Sequence, residues 1–297
     1  MKKQIKTILK SILYFNLFFY IEYKWGRKKT SSQFKDYLSI VAIVKNEALN
    51  IAEWIEYHLL VGVSRFYIYD NGSTDNLKEV LEPYIQKNIV EYIYYPGKAR
   101  QTPAYNAAIK RIRNQSFWIA TIDIDEFIVP VSTQTIPDFL RDFEDVSGIE
   151  INWMMYGSNG QRERTEGLVM ERFTKHAFAD YPLNRHIKTV FNPRSVWVAG
   201  VHEAQYFDGK GVNTHKEEIQ NYFLEREPLF DKIRINHYFC KSETEYLLKL
   251  GRGDATGNNH LSMTHFHNQD KNDMEDDIMN KYIPRVKKNL IERYRNQ

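Results

Sequence analysis

Between residues 37 and 122 the chain alternates short apolar runs with helical patterns, and few folds accept that alternation. Tyr37 to Val44 (YLSIVAIV), Arg65 to Tyr69 (RFYIY), Val90 to Tyr95 and the run opening at Trp118 read as strands. Between them, Ile51, Trp54, Ile55, His58 and Leu59 recur at three- and four-residue spacing from about Asn50. Leu77, Val80, Leu81 and Tyr84 do the same, and Pro103 to Arg113 reads as a third helix. A strand that is apolar on both faces needs helices above and below it, so the expected class is α/β with a mostly parallel central sheet. Ligands of such sheets bind beyond the carboxyl ends of the strands.

Three of these runs end in polar clusters: Lys45-Asn46-Glu47, Asp70 to Asp75, and Asp123 to Glu126. All three are therefore expected around one crevice. Asn71-Gly72 makes a turn, and Ser73, Thr74 or Asp75 can cap the helix that follows. In Trp118 to Val129 (WIATIDIDEFIV), extended backbone sends Asp123 and Asp125 to one face and Ile124 to the other. Hard divalent cations such as Mg2+ take one or two protein carboxylates and complete their shell with phosphate and water, so this D-x-D suits a metal-diphosphate substrate. An acidic turn or a helix N-terminus carries the same letters.

Further on, Ile136 to Phe143 reads as a short helix, Gly148 to Met155 as a strand and Tyr156 to Gly160 as a polar loop. Lys188 to Phe191, Val196 to Val201 and Ile233 to Tyr238 are strand-like, with a hairpin expected near Asp208-Gly209. The C-terminal run from about Asp273 to Arg295 reads as helical, interrupted at Pro284. The expected organisation is an N-terminal segment and linker over 1–35 and one domain over 36–297. Within that domain the alternating strand-and-helix half is about 36–130, a second half about 131–270 and a final helix about 273–295.

Cys240 is the sole cysteine, which excludes a disulfide framework and a cysteine-rich zinc site. The first 30 residues hold eight Lys or Arg against Glu22 alone, while the whole chain carries only +3, so the remainder is net acidic. Nucleic acid is accordingly not an expected partner. Ser11 to Ile21 is uncharged and rich in Leu, Phe and Tyr, but eleven residues fall short of the roughly 20 that cross a bilayer. Aromatic and aliphatic groups flanked by lysines fit a helix lying on an anionic membrane surface. A helix packed on the domain and a signal segment are the competing readings, the latter lacking a small-residue cleavage site. The location expected on these grounds is cytoplasmic, peripheral on the inner face of the cell membrane.

KNEALNIAEWIEYHLLVGVSRFYIYDNGSTD from Lys45, AYN from Ala104, WIATIDIDEFIVP, INWMMYGSNG, LVMERF, INHYFCKS and RGDA occur in this order. Together they resemble glycosyltransferase family 92, also known as domain of unknown function 23, over roughly residues 38 to 295. The resemblance implies a GT-A (Rossmann-like) fold, a nucleotide-sugar donor with UDP-galactose the best guess, a divalent cation, usually Mn2+, and inversion at the anomeric carbon. It implies Asp123 and Asp125 as the metal-holding D-x-D and His237 as the late histidine that completes the metal shell. The bland reading of His237 is a core histidine. Lys241 would neutralise diphosphate. Val44, Asn46, Glu47, Asp70 and Asn71 resemble uridine and ribose contacts, with turn chemistry as their alternative, and Gln101 and Asn106 would face the same donor.

Inversion requires a base for the proton of the acceptor hydroxyl. Glu203 in VHEAQ, Glu171 in VMERF and Glu126 are the three candidates, Glu126 having a second possible role in orienting metal ligands. Trp153, Tyr156, Ser158, Asn159 and His202 are expected toward a glycan or glycolipid acceptor, with a core role the alternative for Trp153. A nucleotidyltransferase acting on a sugar phosphate also places such carboxylates beside a nucleotide, but no glycine- and lysine-rich phosphate loop follows the first strand. A non-catalytic sugar- or membrane-binding module is the remaining alternative.

Overall fold

The computed structural model describes residues 30–207, 211–219, 221–252 and 261–295. The basic N-terminal segment and the hairpin expected near Asp208-Gly209 lie outside these residues, save for Thr30 at the one and the flanks of the other. Eight strands form one sheet: β1 (Asp36–Val44), β2 (Arg65–Asp70), β3 (Val90–Tyr94), β4 (Ser116–Thr121), β5 (Glu126–Pro130), β6 (Gly148–Met155), β8 (Ile187–Phe191) and β11 (Ile233–His237). Their order is β3-β2-β1-β4-β8-β6-β11-β5. The pairings make six strands parallel and turn only β8 and β5 against them. The mostly parallel sheet flanked by helices is present as expected.

Helices α1 (Ile51–Leu60), α2 (Leu77–Gln86) and α3 (Gln101–Ile112) follow β1, β2 and β3 in turn. β1 is buried at nearly every position, which is what its unbroken apolar run requires. On one face Leu38, Ile40 and Ala42 pack in a large cluster with Trp54, Ile55 and Leu81; on the other Val41 and Ile43 pack with Tyr105, Ala108 and Ile112.

The sheet is forced to curl. β4 and β5 are joined by four residues yet stand four strand positions apart, about 19 Å in a flat sheet. Glu126 N donates to Asp123 O at 3.1 Å, so the connection is a tight turn that reaches far less than its extended length. The far edge must therefore bend back toward β4, and this brings both ends of a five-strand arc to the acidic turn.

Bending leaves β5 with a free edge, and α1 covers it. Trp54 Nε1 donates to Glu126 O (2.8 Å) and Tyr57 Oη to Ile128 O (3.0 Å). His58 Nδ1 donates to Trp54 O (2.8 Å), which leaves Nε2 to accept the Ile128 N–H at 3.2 Å. Burial holds the His58 pKa down at about 3, so this fully buried ring is a neutral structural group that satisfies an otherwise orphaned strand edge.

Several boundaries differ from expectation. The final helix, α8 (Ile283–Tyr294), starts where an interruption was expected: Pro284 sits in its first turn, where the missing N–H costs nothing. Ahead of it, β12 (Met274–Glu275) pairs with β7 (Lys175–His176). The expected helix over 136–143 is α4 (Ile136–Leu140) followed by a 3-10 turn, and Val196–Ala199 is β9, paired with β10 (Ala204–Tyr206). Three helices were not anticipated: α5 (Val169–Arg172), α6 (Glu243–Arg252) and α7 (Met263–Gln269).

Candidate active site

One edge of the sheet collects the polar groups. β1, β2, β4, β6 and β11 end there, at Val44, Asp70, Thr121, Met155 and His237, while the antiparallel β8 and β5 begin there, at Ile187 and Glu126. A cavity of about 550 Å³ opens at this edge, lined among others by Val44, Glu47, Asn71, Gln101, Asp123, Asp125, Trp153, Lys188, His202, His237, Lys249 and Arg252. The crevice expected at the strand ends is thus a physical feature of the fold.

Asp123 accepts from Gln101 Nε2 (3.0 Å) and Tyr105 Oη (3.4 Å) on Oδ1, and from Lys188 Nζ (2.8 Å) on Oδ2. Lys188 is the second residue of β8 and 1% exposed; burial alone would lower its pKa, but Asp123 and Glu126 outweigh burial and hold it charged. Glu126 lies beneath, fully buried, with Oε2 accepting the Asp123 N–H at 2.9 Å and standing 3.5 Å from Lys188 Nζ. Burial raises its pKa, and Oε1 has no partner among the described residues. It orders the turn that presents Asp123.

Asp125 faces the other side. Lys249 Nζ, from α6, donates to Oδ2 at 2.7 Å, while Oδ1 stands 3.7 Å from His237 Nε2. Burial raises the Asp125 pKa, but Lys249 and His237 outweigh it and hold this carboxyl well below the usual range. The His237 ring is itself lowered by burial and rests 4.2 Å from the Trp153 ring centroid.

The donor set fits a divalent cation with two protein ligands. Oδ1 of Asp125 and Nε2 of His237 are too far apart for a hydrogen bond and face each other, as two donors on one cation do. Among the described residues no group of three or more His, Cys, Asp or Glu side chains forms a metal cage, so the rest of a coordination shell would come from substrate and water.

The other candidate residues divide. Val44 and Asn71 line the cavity, and among the described residues Asn71 Oδ1 is buried without a partner. Gln101 and Trp153 also line it, the indole stacked on His186 at 5.0 Å. Glu47 is there too, but it is bound by Arg252 at 2.5 Å and stands 4.0 Å from Lys241. Lys241 opens instead onto an adjacent 180 Å³ pocket with Arg164 and Glu245.

Asp70 and Asn46 do turn chemistry. Asp70 accepts from Ser73 N (2.8 Å) and Tyr92 Oη (2.5 Å), and Asn46, at φ 53°, accepts from Thr74 N (2.7 Å). Asn106 lies outside the cavity, clamping Ala199 through both its amide and its carbonyl at 2.9 and 3.1 Å. Tyr156, Ser158 and Asn159 are pinned by Asp276, Asp270 and Asn272 at 2.6 to 2.9 Å, and they brace the polar loop rather than line the cavity.

Of the three carboxylates considered as base, none opens onto the cavity. Glu171 pairs with Lys287 at 2.7 Å on α5, and Glu203, in the β9–β10 turn, exerts its charge on Glu150 and Tyr206.

Lys188, Lys249 and Arg252 were not foreseen. Two of them come from α6, whose start was legible: Ser242 N donates to Glu245 Oε2 and Glu245 N to Ser242 Oγ, the reciprocal bonds of a capping box over Ser242-Glu243-Thr244-Glu245. Arg252 NH1 also donates to the Lys45 and Asn46 carbonyls at 3.1 Å, tying α6 to the end of β1.

The sequence profile of glycosyltransferase family 92 matches residues 38–293. The chain belongs to glycosyltransferase family 92. A family 92 protein of Oryza sativa subsp. japonica is 34% identical over 121 residues, 40% of this chain and 20% of that protein. A galactan beta-1,4-galactosyltransferase of Arabidopsis thaliana is 27% identical over 212 residues, 63% of this chain and 41% of that protein. The chain thus spans only about a fifth to two fifths of the length of these plant relatives. Among solved structures, TarS of S. aureus aligns at 16% identity and TM-score 0.37, covering 53% of this chain and 47% of that one. Glucosyl-3-phosphoglycerate synthase of Mycobacterium tuberculosis aligns at 14% and 0.31, covering 57% and 63%.

Proposed function

We propose that this protein is an inverting, metal-dependent glycosyltransferase that moves galactose from UDP-galactose to a glycan acceptor. The observation that carries this reading is the convergence of Asp125 Oδ1 and His237 Nε2 beside two ammonium groups in one 550 Å³ cavity at the carboxyl edge of the sheet. The galactan beta-1,4-galactosyltransferases among the relatives support galactose as the transferred sugar.

Val44 and Asn71 border the place for the uridine, and the unpartnered Asn71 Oδ1 is an acceptor for a ring N–H or ribose hydroxyl. Asp125 and His237 would hold Mn2+ or Mg2+, which when bound acts as a Lewis acid on the leaving diphosphate. Lys188, Lys249 and Arg252 place positive charge where the leaving group develops negative charge. Gln101, Tyr105 and Lys188 hold Asp123 still.

With a panel of UDP-sugars and Mn2+, UDP release is expected to be fastest from UDP-galactose, to stop with excess chelator and to return with added Mn2+. Turnover that continues at full rate in chelator rejects the metal assignment. A chain inert to every UDP-sugar rejects the transferase reading.

The segment 1–30, with eight basic residues around an aromatic stretch, supports a place on the inner face of the cell membrane, where a glycolipid acceptor would be met. Among the described residues no helix is long and apolar enough to cross a membrane. The full chain is expected to sediment with vesicles containing anionic lipid and to be released by salt. Equal recovery with neutral and anionic vesicles contradicts this.

A further inference from the structure

We propose that His202 is the general base of the transfer, taking the acceptor hydroxyl proton on Nε2. This rests on the transferase reading above. Among the described residues, the three carboxylates that line the cavity are each already held by cations: Glu47 by Arg252, Asp123 by Lys188 and Asp125 by Lys249. A carboxylate saturated with donors has little basicity left. Among the described residues, His202 lines the same cavity without such a partner on Nε2.

Its tautomer is fixed by the backbone. Nδ1 lies 3.0 Å from the Ile187 carbonyl, which only accepts, so Nδ1 carries the hydrogen and a neutral ring presents its lone pair on Nε2. Thr189 Oγ1 donates to the His202 carbonyl at 2.7 Å and anchors the backbone to β8. Trp153 stands 5.2 Å from this ring and 4.2 Å from His237, so one indole bridges the metal ligand and the base.

The groups facing His202 are Lys188 of β8, His186 just before β8 and Asp123 of the β4–β5 turn; β6 contributes the neutral Trp153, and the 3-10 turn at Phe223 a neutral ring. Burial and the Lys188 charge bring the pKa down to about 4, which keeps the ring unprotonated at neutral pH. An anionic donor beside Lys188 offsets that ammonium and strengthens the base when the substrate is in place.

In the step itself the acceptor oxygen bonds to the anomeric carbon as its proton passes to Nε2. The bond from that carbon to the β-phosphate oxygen breaks, and UDP leaves with the electron pair. The imidazolium then returns its proton to solvent, so the balance is donor plus acceptor alcohol giving glycoside, UDP and a proton.

His202→Asn tests this, because the Asn amide can still donate to the Ile187 carbonyl while the atom that takes the proton is gone. With the UDP-sugar that the wild type turns over, the variant is expected to lose about 100-fold or more in kcat, to bind UDP and Mn2+ with unchanged affinity, and to lose the acid limb of the pH profile. Added imidazole is expected to restore part of the rate of His202→Ala. Turnover of His202→Asn within threefold of wild type, or an acid limb that persists, overturns the base while leaving the transferase standing. An inert wild type overturns both. If His202→Asn does not fold, failure of imidazole to rescue a folded His202→Ala overturns the base.

Discussion

Asp125→Ala is expected to lose UDP-sugar turnover by about 1,000-fold or more at saturating Mn2+, with the fold retained. A Lewis acid on the leaving phosphate contributes several kcal/mol to transition-state stabilisation, and each 1.4 kcal/mol or so is tenfold in rate. Asp125 is the carboxylate that faces His237, so its removal leaves one imidazole where two donors stood. The fold should tolerate the change because the counter-ion has other partners: Lys249 Nζ lies 3.3 Å from the Phe239 carbonyl and 3.9 Å from the centre of its ring. Steady-state UDP release and a thermal melt on the same sample check both halves. A folded variant that keeps a tenth of the activity would remove Asp125 from the metal site.

Lys188→Met should damage the fold more than any other single change at the site. The ammonium is buried against a fully buried Glu126 and a partly exposed Asp123, and breaking a buried pair by removing one partner costs about 3–5 kcal/mol, an upper figure here because Asp123 reaches solvent and burial favours the neutral form of Glu126. Methionine fills nearly the same volume, so packing contributes little to the loss. Against a total stability of about 5–15 kcal/mol this is a large fraction, and a fall in Tm on the order of 10 °C follows for a chain of this size. Combining Lys188→Met with Glu126→Gln should recover part of the loss, a coupling that differential scanning calorimetry resolves in a double-mutant cycle. A single variant that melts within 2 °C of wild type would mean that the carboxylates do not depend on this lysine.

The features legible in the amino-acid sequence are local ones. β1, β2 and β4 announce themselves because both of their faces are buried, β3 at the half-exposed edge by its flanking turn residues, and Asp123 and Asp125 stand out from their place beyond a strand end. What escaped depends on sheet order. Lys188 stands in an apolar strand, Ile187–Phe191, where an isolated lysine is itself a signal, but its partner Asp123 lies 65 residues away and meets it only because β8 inserts beside β4. Misassigned polar residues have a different cause. Asn46, Asp70, Asn106, Ser158 and Asn159 offer the same short donors and acceptors to a backbone as to a nucleotide, and pattern alone does not separate the two uses.

The tight turn between β4 and β5 also determines when the site comes into being. β5 pairs with β11, joining Val129 to Arg234, and Lys188 reaches Asp123 only after β8 has entered the sheet. These are contacts of high sequence separation, the kind whose loop-closure cost delays them in folding. The acidic turn is therefore among the last features to take shape, although its residues are near neighbours in the chain. A growing polypeptide that has emerged only as far as β5 carries the D-x-D letters without their counter-ions or their histidine, and ion capture at this turn would report that the whole arc has closed.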